Sequence, residues 1–404
     1  MLEASKNVLL FVVVLTFHLS IASVVSVQHL YVHVPFCPAK CDYCAFVTHI
    51  GSLKLMEPYL QSLQFEARRW AQRTTIGPLS TVYFGGGTPS LMSPAQVQAL
   101  LEAVNELFGI GAGAEITLEA HPSTLSHGTL AGFRAAGITR LSFGAESMHK
   151  DELLALNRLH APLRASELVR EAAAAGIESV NVDLMYGIPA QTPSSWRATL
   201  ELISEAGPAH ISVYPLQIEA RTSFGRRSRE GTLSVPNDDR VVEMYHDACD
   251  VLDRVGYEHY EVANWCLPDH ECRHNLACWR NEQCLGLGVG AHGYVDGQRT
   301  ENIRQTKRYI DTMRRDGPVC ERSTSVTDSI ALSETLMLGL RLLREGVDLA
   351  KVGRNYGPDA RKRAESAARS HISQGLIVQE ANRIRLTEQA VPIANSVWQD
   401  FVDL

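Results

Sequence analysis

Leu30-Tyr-Val-His-Val-Pro-Phe-Cys37-Pro-Ala-Lys-Cys41-Asp-Tyr-Cys44-Ala-Phe46 decides the fold of this chain. A β-branched run, Leu30 to Val34, runs directly into three cysteines at spacings of four and three, so the thiols occupy the first strand-to-helix loop. Three thiolates so placed can wrap one compact inorganic cluster. A four-iron cluster normally takes four cysteines; three leave one iron with an open position, and an open position means cofactor or substrate chemistry. Structural zinc is the competing reading, but zinc sites usually pair Cys-x-x-Cys knuckles with a fourth ligand at matching distance, and no such pairing is present.

Downstream of this loop one theme repeats. Thr81–Phe84, Glu115–Leu118, Arg140–Phe143, Ser179–Asp183 and His210–Tyr214 are short strand-like runs. Helical patterns near 56–73, 93–108, 150–159, 165–175 and 195–206 fall between them, the second opened by Ser93, Pro94 and Gln96 as N-cap, first-turn proline and capping-box partner. Six strands alternating with helices imply a parallel sheet with right-handed crossovers. The expected fold is α/β, a partial (β/α)6 barrel whose ligands collect at the C-terminal ends of the strands.

A further helix over about 238–255 is followed by a Cys-, His-, Trp- and Gly-rich stretch, Tyr260 to Gly293, and 300–330 reads as a connector. From Ser325 onward two helical segments precede a hairpin, Gly375–Val378 and Arg383–Leu386, and a terminal helix, the outline of a winged-helix-like α+β domain. The expected division is therefore an apolar N-terminal extension at 1–28, a core barrel at 29–300 and a C-terminal domain at 325–404. That last segment carries 10 basic and 10 acidic residues, so a docking or lid role suits it better than DNA binding.

The 404 residues include 38 basic and 45 acidic side chains, a net charge of −7, which gives nucleic acid no basic footprint. Nine cysteines, an odd number in a long helix-rich chain, argue against a secreted disulfide framework and for reduced thiols in the cytoplasm. Asn7 to Gln28 contain no charged residue. Three readings of that stretch stand: an extension from an over-long gene model, a membrane-associated segment, or a signal peptide.

The segment 30–46 resembles the HemN/HemW branch of the radical S-adenosylmethionine (SAM) superfamily, and the resemblance runs over roughly 29–404. It implies a [4Fe–4S] cluster on Cys37, Cys41 and Cys44, whose open iron takes SAM. Gly86, Gly87 and Thr88, within Gly85-Gly-Gly-Thr-Pro89, match the family's SAM-contacting motif. Glu119, Glu146, Arg158 and Asp183 fall at the same barrel mouth, where carboxylates suit ribose and ammonium groups and an arginine suits a carboxylate. The family usually has Gln where this chain has Glu146. Tyr31 and Tyr43 match positions near the cluster and adenine.

Coproporphyrinogen-oxidising members carry a further cysteine two residues after the third ligand; here that position is Phe46. Phe46 and the short lead before the first strand match the HemW type, a heme chaperone, over the alternative, an oxygen-independent coproporphyrinogen III oxidase. Cys272-Arg-His-Asn-Leu-Ala-Cys-Trp279 is similar to the family's heme-linked His-Asn-x-x-Tyr-Trp, with Cys278 in place of Tyr. The resemblance thus implies His274 as a heme ligand, with a hydrogen-bonded histidine beside the barrel as the bland reading. Heme-acceptor proteins and an electron donor are the implied partners.

Overall fold

A computed structural model describes residues 27–51, 53–158 and 160–402. The apolar N-terminal stretch lies outside these residues except for Val27 and Gln28, which begin the first strand. No helix among the described residues is long and apolar enough to cross a membrane.

Six strands lie side by side in sequence order: β1 (Val27–Val34), β2 (Ile76–Gly86), β3 (Ile110–Ala120), β4 (Arg140–Glu146), β5 (Ser179–Tyr186) and β6 (His210–Pro215). Every neighbouring pair is parallel. Their side chains alternate with period two. Leu30, Val32 and Val34, then Val82 and Phe84, Leu141 and Phe143, Val180 and Val182, Ile211 and Val213 are all buried in the layer shared with the helices. The intervening positions, among them Tyr83, Glu119, Ser142, Asp183 and Ser212, line a cavity on the other face. An apolar outer and a polar inner face therefore coexist in strands buried on both sides.

The sheet is larger than the six expected units, with twelve strands in all. Cys284–Leu287 adds in parallel to the free edge of β1, and an antiparallel meander, His292–Val295, Gln298–Asn302 and Cys320–Ser325, continues it. Asn264–Cys266 and Glu258–Glu261 extend the β6 edge. Residues 300–330 are thus not a plain connector: they hold strand and the helix Thr306–Arg314. Every residue of the outermost strand is exposed, so its sequence, Cys-Glu-Arg-Ser-Thr-Ser, carries no apolar alternation to announce it.

The helix Pro94–Phe108 opens with the expected reciprocal box, Gln96 N donating to Ser93 Oγ at 3.2 Å and Ser93 N to Gln96 Oε1 at 3.0 Å. Beyond 325, three helices rather than two precede the hairpin: Asp328–Gly339, Leu349–Tyr356 and Pro358–Ser373. Gly357, at φ +90°, with Pro358 after it, divides what reads in sequence as one helical run. Ile377–Glu380 and Arg383–Leu386 pair as expected, and Val347–Asp348 adds a third strand.

Candidate functional site

Cys37 closes the strand end after β1, and the loop 37–44 folds over the C-terminal mouth of the barrel. Phe36 and Cys37 pair in parallel with His49 and Ile50, and His49 N donates to Pro35 O at 2.7 Å, which closes the base of the loop. Thr88 N donates to Phe36 O at 2.7 Å and Gly87 N to Val34 O at 2.9 Å. The loop's outer side is pinned by Asn157 Nδ2 to Lys40 O at 3.0 Å and Phe224 N to Asp42 O at 3.0 Å. All three thiols remain half-buried and free.

Two donors point at sulfur: Thr88 Oγ1 lies 3.6 Å from Cys37 Sγ and an Arg158 guanidinium nitrogen 3.9 Å from Cys41 Sγ. Burial pushes the Cys37 thiol up to about 11, and Cys41 and Cys44 upward as well. Left alone these thiols keep their protons; a bound cation displaces them. No three His, Cys, Asp or Glu groups among the described residues converge on one ion position. Three thiolates on one loop can each take a different iron of a cluster.

The glycines of the second loop answer to the chain beside them. A Cβ on Gly86, at φ +113°, would lie 2.4 Å from the His33 ring, and one on Gly87 would lie 2.6 Å from the backbone of Pro35. Close approach of β1 to β2, which brings the cysteine loop onto the Gly-Gly-Thr segment, therefore requires them.

Arg158 and Glu146 form a buried ion pair at 2.5 Å, and the same guanidinium group donates to Gly144 O. Tyr43 donates to Glu146 Oε1 at 3.0 Å. Glu146 sits at φ +56°, just past a register shift between Gly144 and Glu146. A bulge at a strand end re-aims a side chain, and here it turns the carboxylate toward the loop. Arg158 Nε is buried with no hydrogen-bond partner in the protein. Glu119 accepts from Tyr83 Oη at 2.8 Å and from Gly86 N at 2.9 Å; burial pushes it up to about 7 against these bonds. Asp183 accepts from Asn181 Nδ2 at 2.7 Å and Ser142 Oγ at 3.3 Å.

One cavity of about 740 Å3 gathers Cys37, Cys41, Cys44, Tyr43, Gly86, Gly87, Thr88, Glu119, Glu146, Arg158 and Asp183. Half-exposed sulfurs, a guanidinium nitrogen without a protein partner and a cavity with charged side chains in its wall together fit a cluster with a charged ligand beside it. Tyr31 stands a layer behind, stacked on Tyr83 with ring centres 6.1 Å apart and bonded to His33 Nδ1 at 3.1 Å. The cavity continues to the barrel floor, where Arg140, His210, Asn264, Cys272 and Asn275 line it. Sequence reasoning missed these. Their signal was the period-two register: Arg140 and Ser142 precede Glu146 on one face, and His210 and Ser212 precede Tyr214.

His274 does not line the cavity. The short helix Arg273–Trp279 plugs the floor, with Glu115 accepting from Arg273 N at 2.9 Å and His274 N at 3.0 Å. The imidazole is 5% exposed, bonded through Nδ1 to Thr81 Oγ1 at 2.8 Å, and stacked on Tyr83 at 5.0 Å. Burial holds its pKa down to about 3. In this conformation it has the surroundings of a hydrogen-bonded core histidine. Cys278 is half-buried, and burial pushes its thiol up to about 11.

Comparison with known proteins bears on this arrangement. The Radical SAM superfamily matches residues 31–203 and the HemN C-terminal domain matches residues 327–393. A protein named heme chaperone HemW from Mycobacterium tuberculosis is 35% identical over 371 residues, covering 91% of this chain and 93% of its own. The protein of that name from Bacillus subtilis is 31% identical, covering 92% of this chain and 98% of its own. The mitochondrial radical S-adenosyl methionine domain-containing protein 1 of Danio rerio is 34% identical over 79% of this chain and 73% of its own. The solved coproporphyrinogen III oxidase HemN of Escherichia coli superposes with a TM-score of 0.81 at 23% identity, covering 93% of this chain and 90% of that one, a likeness of fold.

Proposed function

The chain belongs to the HemW family of radical SAM proteins, and from that premise we propose that it is a heme chaperone that takes up heme as cargo and passes it to acceptor proteins. Cys37, Cys41 and Cys44 would hold a [4Fe–4S] cluster, and SAM would bind beside it. When bound, the cluster supplies one-electron reducing chemistry at the mouth. The surrounding residues do the rest. Gly86, Gly87 and Thr88 form the wall; Glu119 and Asp183 offer carboxylate acceptors; Arg158, held by Glu146, places a cation at the mouth for an anionic group.

The observation that carries the choice of chaperone over oxidase is Phe46. It stands where the oxidising members have a further cysteine, lines the cavity, and is 68% exposed. An exposed phenyl group offers neither a ligand nor a thiol to a reacting propionate, but it does offer an apolar face.

His274 is proposed as the axial ligand of heme in a second conformation, one in which the helix Arg273–Trp279 has withdrawn from the floor, because a porphyrin cannot reach an imidazole packed against Tyr83. The domain beyond 325 is proposed as a docking or lid element. Anaerobic incubation of purified, reconstituted protein with heme, and separately with coproporphyrinogen III, SAM and reductant, tests the reading. Heme binding without protoporphyrinogen formation is the expected result; stoichiometric oxidation would reverse the assignment in favour of the oxidase.

A further inference from the structure

On a chain of net charge −7, the segment Arg221-Thr-Ser-Phe-Gly-Arg-Arg-Ser-Arg229 stands out, with four arginines and no acidic residue. It forms the helix Ser223–Arg229, capped by Thr222 Oγ1, which accepts from Gly225 N at 3.0 Å. The helix packs directly on the cysteine loop: Phe224 N donates to Asp42 O, and Phe224 is fully buried against the cluster that includes Tyr43 and Tyr214. Arg227 lies over the Phe224 ring at 5.4 Å and 3.9 Å from the carboxylate of Asp42, between the second and third cysteines. Arg221, Arg226 and Arg229 are exposed, as is Lys40 within the loop, and none has a carboxylate partner among the described residues. Asp42, Glu219 and Glu230 are the neighbouring acids, too few to neutralise five cations.

None of these four arginines lines the cavity. They face outward, on the flank of the loop, where a ligand held inside the barrel would not touch them. Phe46, two residues past the third cysteine, and Ile50, paired with Cys37, are exposed at 68% and 43%, so the cysteine loop itself also carries apolar surface. Transient interfaces combine a small apolar centre with a charged rim that steers the partner and sets its salt dependence. A protein negative overall repels an acidic partner over most of its surface, and a local basic patch is where such a partner can land.

We propose that the outer flank of the cysteine loop, formed by Arg221, Arg226, Arg227 and Arg229, is the docking surface for a small acidic electron-carrier protein. The transfer it serves moves one electron: the carrier's reduced flavin or iron–sulfur centre is oxidised by one electron, the cluster is reduced by one, and no bond forms or breaks. This rests on the cluster assignment in the proposed function.

The test uses the full reconstituted chain and an acidic flavodoxin as probe, with Arg221→Glu/Arg226→Glu against a control of equal charge change, Arg363→Glu/Arg369→Glu, on the exposed face of the helix Pro358–Ser373. The loop-flank variant should weaken flavodoxin binding by about tenfold or more near 50 mM salt, a gap that narrows as salt screens the rim. It should slow cluster reduction by flavodoxin while iron content and reduction by dithionite stay unchanged. The control should bind like the parent. Equal loss in both variants, or no loss in either, overturns the proposal, as does a loss of heme affinity with flavodoxin binding intact, which would assign the patch to heme propionates. If the parent chain assembles no cluster, the proposed function fails by its own measure, while flavodoxin binding to the patch still decides this surface.

Discussion

The barrel's mouth leaves its three thiols half-exposed on a loop, beside a cavity of about 740 Å3 that Glu119, Glu146, Arg158 and Asp183 line. The floor of the same barrel buries His274 to 5% exposure, satisfies its Nδ1 and caps its helix with Glu115. Both ends carry motifs that look chemical in sequence, yet only the mouth offers its groups to a ligand as it stands. Availability, rather than residue type, separates a prepared site from one that must open.

The largest effect that would break this contrast is at the mouth. Replacing Cys37, Cys41 and Cys44 together with Ala should abolish the cluster, measured as loss of bound iron and of the visible absorbance, since these three thiols are the ligands assigned to it. A full iron complement in the triple variant would remove the mouth from the comparison.

Acid–base behaviour sharpens it next, because burial acts with opposite sign at the two ends. Glu119 is raised from its ordinary 4.5 to about 7, chiefly by burial. The folded chain then keeps a proton that the unfolded chain has released, so this contribution to stability is complete below pH 4.5 and is lost as pH rises through 7. His274 is lowered from 6.5 to about 3, also by burial, so the unfolded chain takes up a proton that the folded one refuses. Its contribution is complete above pH 6.5 and falls away toward pH 3. Urea midpoints across pH should show Glu119→Gln removing a falling limb on the order of 3 kcal/mol, and His274→Gln removing a rising limb on the order of 5 kcal/mol. Slopes that survive both substitutions would mean that the two ends are equally wet.

Gly87→Ala comes third. Its Cβ would meet backbone atoms of Pro35 at 2.6 Å and Phe36 at 2.8 Å, and backbone cannot swing aside. A cost of about 1–3 kcal/mol in stability is expected, together with weaker SAM binding, both measurable by thermal unfolding with and without SAM. A neutral Gly87→Ala would show the two loops to be looser than their hydrogen bonds indicate.

The mouth was legible in the chain because its chemistry is local: three cysteines in eight residues, then a glycine run at the next strand end. All six parallel strands were legible for the same reason, each being a short run that carries apolar, β-branched or aromatic residues between turns. The floor was not. Glu115 caps a helix 158 residues downstream, and Thr81 meets His274 across 193 residues, so no local pattern reports either contact. The meander after Cys284 was hidden by polarity, and Arg140 and His210 read as ordinary strand-end residues until register placed them inside the barrel. The motif around His274 shows the limit: its sequence suggested a ligand, whereas its burial depends on partners from β2, β3 and the far terminus.

That last partner offers the finest test of the comparison. Arg341 is held between two indoles, 4.2 Å from the Trp279 ring and 5.0 Å from the Trp398 ring, and it approaches Glu261 at 3.9 Å. Trp279 ends the floor helix, and Trp398 belongs to the C-terminal helix Ala394–Gln399, so the stack ties the plug to the domain beyond 325. Arg280 adds an ion pair to Glu345 at 2.7 Å. A cation–π contact of this kind is worth about 1–2 kcal/mol when partly desolvated. Trp398→Ala should therefore cost about that much stability and leave cluster content untouched, because the mouth shares no contact with the stack. If heme reaches His274 only after the floor helix withdraws, loosening the stack should also speed heme uptake, with Trp398→Phe falling between. Stopped-flow mixing with heme reads the rate, and the double change Trp398→Ala with His274→Ala should abolish the gain. An uptake rate indifferent to Trp398 would mean that heme never passes through the floor, and the contrast between a prepared mouth and an opening floor would reduce to one between a site and a scaffold.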